Sequence, residues 1–248
     1  MQLVGCVIVN EASSSPLVSQ VTPSWLVRCA AACECQLLEH VGPIWADVIG
    51  QVRVASGPSD IKAGELVFAI VDSLPDAPGA VAYHDVQGNA APVAFLALSA
   101  CTTLDDVSTA ISHELCETTG DEACNRWADD GQGSEFAIEL CDAVESNAYP
   151  CVLGDGGEPI LVSDFLLPEF FFPGSVGPYS YMGTQAANRP EGPLQTAEGG
   201  YQIKRSSGGG ETQVTGKVRE LRAAKVAHFS SRATRRGASY GAQTKTKS

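Results

Sequence analysis

Apolar positions along the chain follow two rhythms, short unbroken runs and a spacing of three to four, and the changes between them mark the elements. Leu3 to Val9 is an apolar run that stops at Asn10-Glu11 and a serine-rich stretch, which predicts a buried first strand. Thr22-Pro23 then offers an N-cap followed by proline at the first helical position. Leu26, Ala30, Cys33, Leu37 and Val41 recur at helical spacing, so a packed helix is expected up to Gly42-Pro43. Three β-favouring runs follow, Glu65–Val71, Ala80–His84 and Pro92–Leu98, separated by clusters of Gly, Pro, Asp or Asn, and the last two predict a hairpin. A second helix opens after Cys101-Thr102-Thr103, with Asp105 and Asp106 in its first turn where the helix dipole favours negative charge, and ends near Gly120. From Phe136 to Asp164 short strands and turns return, among them Tyr149–Leu153 and Ile160–Val162. The aromatic segment Phe165–Phe172, closed by Pro173-Gly174, completes a β-rich second lobe.

The expected class is therefore α/β (α+β), a mixed sheet packed on two helices with a β-rich second lobe. Beyond Gly199-Gly200-Tyr201 the chain changes character, with Ser206-Ser207-Gly208-Gly209-Gly210 as a flexible joint and a basic segment to Ser248. The expected boundary separates residues 1–201 from a flexible basic tail over residues 202–248. Charge follows the same division. The chain carries 16 Lys and Arg against 29 Asp and Glu, for a net charge of −13, but 27 of the acids and only 5 of the bases precede residue 202. An acidic body of this kind argues against a protein that is chiefly a nucleic-acid binder.

No apolar run approaches the roughly 18 residues of a membrane helix, and Met1-Gln2-Leu3-Val4 lacks the positive region of a signal peptide, so neither is expected. The nine cysteines form an odd set without a C-x-x-C pair, which argues against a structural zinc knuckle; mostly free thiols are expected, with some disulfide pairing left open and Cys29, Cys33 and Cys35 read as buried in the first helix.

The segment that carries chemistry is His113-Glu114-Leu115-Cys116-Glu117 on the second helix. Residues four apart share a helical face, so His113 and Glu117 can both point at one cation, with Glu114 beside them. This is the geometry of an H-E-x-x-H zinc helix whose second histidine is a glutamate. The apolar stripe of the same helix, Leu104, Val107, Ile111 and Leu115, lies about 200° away at 100° per residue, which predicts one buried face and an opposite face bearing ligands. Between Asp105 and Glu145 there are 12 carboxylates and one basic residue, Arg126. Acids that converge in a fold repel unless they are protonated or share a cation. The competing expectation is a solvated acidic face with His113 as a surface histidine.

A zinc site needs a third protein ligand, and two acids are candidates. Glu139 is preferred, in Glu139-Leu140-Cys141-Asp142-Ala143-Val144-Glu145, and Asp121 comes second, placed directly after Gly120 where the chain can turn back. Asp142 and Asn125 are expected as outer groups that orient ligands. Glu114 is the expected catalytic base, taking a proton from water and delivering it to a leaving amine. Zinc is the expected ion. A second carboxylate weakens its Lewis acidity and admits other divalent ions, manganese or calcium.

Several motifs in one order extend the picture: Val9-Asn10, Gly42-Pro43-Ile44-Trp45, Ala82-Tyr83-His84-Asp85, the run Ser112–Asp121 continuing to Asn125-Arg126-Trp127, Glu139–Glu145, Val162–Phe171, Gly199-Gly200-Tyr201 and Ser231–Gly237. Through these the chain resembles a family of bacteriophage and bacterial proteins, and the likeness spans most of its length. The resemblance implies a zincin-like metal-binding domain over residues 1–201 and a basic extension after it. Two prolines of the family pattern are replaced, by Glu122 and Ala143, which loosens turns beside the site. Metzincins are less similar: Gly120 stands at the matching place, but Ala123 replaces their third histidine.

The expected function is a virion-associated accessory or structural protein built on this domain, with residual metallopeptidase activity an open question. The alternative is a soluble metal-dependent peptidase acting on phage or host proteins. Expected partners are other virion proteins or copies of the same chain, met through the basic tail, and a polypeptide substrate; nucleic acid ranks below these. The expected location is a virion or the host cytoplasm.

Overall fold

Cys6, Val7, Ile8 and Val9 leave both faces of the first strand apolar, as a strand covered on both sides requires. In the computed structural model, which describes residues 3–46, 49–86, 92–206 and 210–216, this run is β1 (Gly5–Asn10). The chain continues through α1 (Pro23–Cys35), a π-helical stretch (Gln36–Val41) and the short α2 (Gly42–Trp45). It then forms β2 (Gln51–Val54), β3 (Glu65–Val71), β4 (Ala82–Val86) and β5 (Pro92–Ala97), and leads into the long helix α3 (Leu104–Gly120).

The strands form one sheet in the order β2-β1-β3-β5-β4. The pairs β2-β1, β1-β3 and β3-β5 are parallel, and edge strand β4 runs antiparallel to β5 with His84 opposite Ala94. Alternation along the strands sends Cys6, Ile8, Leu66, Phe68, Ile70, Ala94 and Leu96 to one face. There they meet Leu26, Cys29, Cys33 and Leu37 from the first helical segment and Val107, Ile111 and Leu115 from α3 in a single core. Both helices lie on this face and touch each other. The other face is covered by Leu74, Ala77 and Ala80 of the loop after β3. The mixed α/β class read from the sequence is the class observed.

The first helical segment does not stop at Gly42-Pro43. It widens into the π turn and resumes as α2, where Pro43 falls in the first turn and its missing N–H costs nothing. Gln36 anchors the widened turn from within: its buried amide donates to the Tyr149 hydroxyl at 3.1 Å and the Ser163 carbonyl at 2.7 Å. The helical path ends at Ala46, which takes a positive φ of 67°. At the start of α3, Thr103 and Asp106 form a capping box, each side chain accepting from the other's backbone N–H.

The β-rich part consists of two separate sheets. β6 (Trp127–Asp129), β7 (Ser134–Ala137), β10 (Tyr201–Ser206) and β11 (Glu211–Thr215) form an antiparallel sheet in the order β11-β10-β7-β6. β8 (Ala148–Cys151) and β9 (Ile160–Ser163) form a hairpin that lies across α3, where the Ser163 N–H donates to the Ser112 hydroxyl at 2.8 Å. The folded body thus runs past residue 201 to the end of β11. Lys204 and Arg205, which read as the start of a basic tail, belong to β10 instead. Arg205 pairs with Glu135 at 2.7 Å and stacks 3.9 Å over Trp127, and Lys204 lies over the Phe136 ring. Ser207–Gly209 of the expected joint and residues 217–248 of the expected tail lie outside the described residues.

All nine cysteines are free thiols, eight of them buried and Cys35 partly exposed. Among the described residues no helix is long and apolar enough to cross a membrane.

Candidate metal centre

Helix α3 is covered on both sides. Its apolar stripe rests on the sheet, and the hairpin β8-β9 closes over much of the rest, so the face expected to bear ligands is itself largely interior. Glu114 and Glu117 are 4% and 1% exposed. Glu117 lies between two histidines: its Oε1 is 3.1 Å from His113 Nε2, one helical turn back, and its Oε2 is 3.4 Å from His84 Nδ1 on β4. His84, 2% exposed, also approaches Glu114 Oε2 at 3.1 Å. His113 Nε2 approaches Asp142 Oδ1 at 3.2 Å. Two groups of donor atoms result, His84–Glu114–Glu117 and His113–Glu117–Asp142, each gathered within 4.8 Å and each able to hold a metal ion.

The spacing is compatible with a shared ion. Charge-assisted N–H···O contacts shorten to about 2.7–2.9 Å. Ligand atoms that each stand about 2.0–2.2 Å from a shared ion are separated by about 3.0–3.5 Å. The four contacts here, 3.1 to 3.4 Å, fall in the second range, and two of them are also at hydrogen-bond distance. The nitrogens point the same way. An outer carboxylate that orients a ligating histidine takes the ring nitrogen away from the metal, yet Glu117 and Asp142 both face Nε2 of His113, and Glu114 and Glu117 both face Nδ1 of His84.

Burial alone pulls the His113 imidazolium down, but the charge of Glu117 and the contact with Asp142 outweigh it and hold His113 well above the usual histidine range. A metal must therefore displace a proton, and affinity should rise with pH by up to about tenfold per unit until the His113 pKa is passed. Chelator competition between about pH 6 and 8 would show this slope, and a flat profile would contradict it. In the metal-free chain the sign reverses. The stability that charged His113 contributes is fully present below the unfolded histidine pKa, about 6.5, and is lost as pH rises through the higher folded value.

His113, Glu114 and Glu117, expected from the helix pattern, are brought together with Asp142, whose 3₁₀ turn (Asp142–Val144) presses it against His113. Asp142 was expected one layer out and stands in direct contact. Glu139 is buried at 3% but belongs to neither group, and Asp121 also stands apart. The two oxygens of Asp121 accept the backbone N–H groups of Asn125 and Arg126 at 2.9 and 2.8 Å, closing the turn after α3. Asn125 serves that turn through its backbone and its side chain is exposed. Arg126, the one base of the acidic stretch, donates to the Gly120 carbonyl at 2.6 Å. His84 enters the sequence reading as the end of an expected strand and within the motif Ala82-Tyr83-His84-Asp85, but not as a candidate ligand. Its signal is the placement of a histidine at an inward position of that strand, in step with Ala82.

Above the centre opens a cleft of about 310 Å³ with His113 and Glu114 in its floor, Asp105, Asp106 and Glu145 in its acidic walls, and Tyr201 at one side. Gly200 makes the close approach that positions this wall. A Cβ there would stand 2.4 Å from the Ala143 carbonyl oxygen and 2.7 Å from that of Asp142. Compared with protein-family models, characterised proteins and solved structures, the chain matches none.

Proposed function

We propose that the chain is a zincin-like metal-dependent hydrolase domain acting on polypeptides, with its ion held by His113, Glu117 and Asp142. The observation that carries this reading is the convergence of those three donors, from two helical turns and a 3₁₀ turn, beside an open cleft that His113 and Glu114 line. Two carboxylates and one imidazole suit a first-row divalent ion, with zinc and manganese both accommodated. Such an ion supplies electrophilic polarisation of a carbonyl and a lowered pKa for water.

The chain's own residues do the rest. Glu114, held by His84 at 3.1 Å, is placed at the cleft floor to take a proton from attacking water and return it to the leaving amine. The acidic walls favour substrates with basic side chains. The virion-associated role that the resemblance implies is the biological setting proposed for this domain.

Cleavage of a mixed fluorogenic peptide library tests the reading. Activity should require added zinc or manganese and disappear with chelator. Glu114→Gln should keep the ion at His113–Glu117–Asp142 while losing on the order of 10²–10⁴ in rate. A loaded chain that cleaves no peptide would end the enzymatic part of the proposal. Equal metal content in wild type and His113→Ala would end the site.

A further inference from the structure

Glu117 is one carboxylate with a histidine at each oxygen: His113 Nε2 stands at Oε1 and His84 Nδ1 at Oε2. The two donor groups therefore share a single residue, and they share it through different atoms. Each group has its own histidine and its own second carboxylate, Asp142 on one side and Glu114 on the other. A mononuclear site uses the first group as ligands, while the second, more deeply buried one repeats the same make-up of one imidazole and two carboxylates. His84, Glu114 and Glu117 are all at most 4% exposed, and His84 Nδ1 faces both carboxylates away from solvent, an arrangement that a shared cation stabilises.

We propose that the centre binds two divalent cations bridged by Glu117, one at His113–Glu117–Asp142 and the other at His84–Glu114–Glu117. A carboxylate that gives one oxygen to each of two ions holds them about 3.5–4 Å apart, the separation found in two-metal hydrolytic sites. Charge allows the count. Glu114, Glu117 and Asp142 bring three negative charges when ionised, and two ions with both histidines neutral more than offset them, with room for a hydroxide. The mixed nitrogen and carboxylate ligands favour manganese, iron or zinc over calcium. The inference rests on the proposed reading of the first site and changes one role in it: with one ion bound Glu114 is a base, and with two it is a ligand.

Metal counting on the full-length chain separates the inference from the reading beneath it. The purified protein is titrated with Mn²⁺ and, separately, Zn²⁺, and bound ions are counted by native mass spectrometry. Two ions per chain are expected, falling to one in His84→Gln and in Asp142→Asn. Electron paramagnetic resonance of the Mn²⁺ form is expected to show a spin-coupled pair in the wild type and an isolated ion in either variant. These wild-type measurements stand even if a variant fails to fold. One ion per chain would overturn the inference and leave the mononuclear reading intact, whereas none would overturn both. Two ions with uncoupled spectra would place them too far apart for a shared Glu117 and would also overturn it.

Discussion

Glu117→Gln is expected to lower metal affinity by more than about 100-fold, since loss of an outer partner alone typically costs 10–100-fold and Glu117 touches both histidines. Glutamine keeps the shape and removes the charge, so the fold should survive while the ion loses its central donor. The effect is large enough to see as heat stability. An ion present at a thousandfold excess over its Kd stabilises a fold by about 4 kcal/mol. That corresponds to a Tm rise of roughly 8–16 °C for a chain of this size. The wild type should show this rise with saturating metal and Glu117→Gln should show almost none. In the metal-free variant His113 also loses the charge that contributes most to holding it up, so its pKa should drop. A glutamine variant that binds metal within about threefold of wild type, judged by calorimetric titration against the same 100-fold scale, would remove Glu117 from the centre.

Gly200→Ala is expected to destabilise the protein by about 3 kcal/mol and to weaken metal binding at a distance from any ligand atom. The added methyl meets backbone, the carbonyls of Ala143 and Asp142 at 2.4 and 2.7 Å, and neither can swing aside as a side-chain tip would. The same backbone carries the Ala197 N–H bond to the Ala143 carbonyl at 2.9 Å, so relief of the clash must shift the 3₁₀ turn that presents Asp142. A fall in Tm of roughly 6–12 °C should accompany the loss. Gly154→Ala is the control, because a Cβ there meets nothing within 4 Å, and it should leave both stability and metal binding unchanged. Equal behaviour of the two variants would mean that the approach at Gly200 does not position Asp142.

Local periodicity made much of this architecture legible. β3 falls where an unbroken apolar run is bounded by turn residues, and α3 falls where a threonine cap precedes a four-residue stripe. His113, Glu114 and Glu117 were legible for the same reason: one helix fixes their relative angles before any tertiary contact forms. What periodicity could not supply was which distant segments arrive at that helix. His84 and Asp142 lie 29 residues from His113 on either side, and their approach depends on the antiparallel return of β4 and on a 3₁₀ turn held by Gly200. Glu139 and Asp121 were reasonable acids by spacing, but Asp121 is committed to the turn that ends the helix. The boundary after Tyr201 failed on composition, because lysine and arginine on a strand look like a tail until Glu135 and Trp127 are placed opposite them. The helical path that begins with α1 continued through Gly42-Pro43 as α2 because a proline that opens a new turn does not break one.

The burial of the thiols has a practical consequence for following this molecule in solution. A maleimide or iodoacetamide added to the native protein meets one accessible sulfur, at Cys35, while the other eight react only when the surrounding core opens. Because those eight are distributed from β1 to β8, the mass increments acquired over time record which regions open together and which open alone. The chain thus carries its own stopwatch for breathing motions, readable without adding a label site or altering a residue.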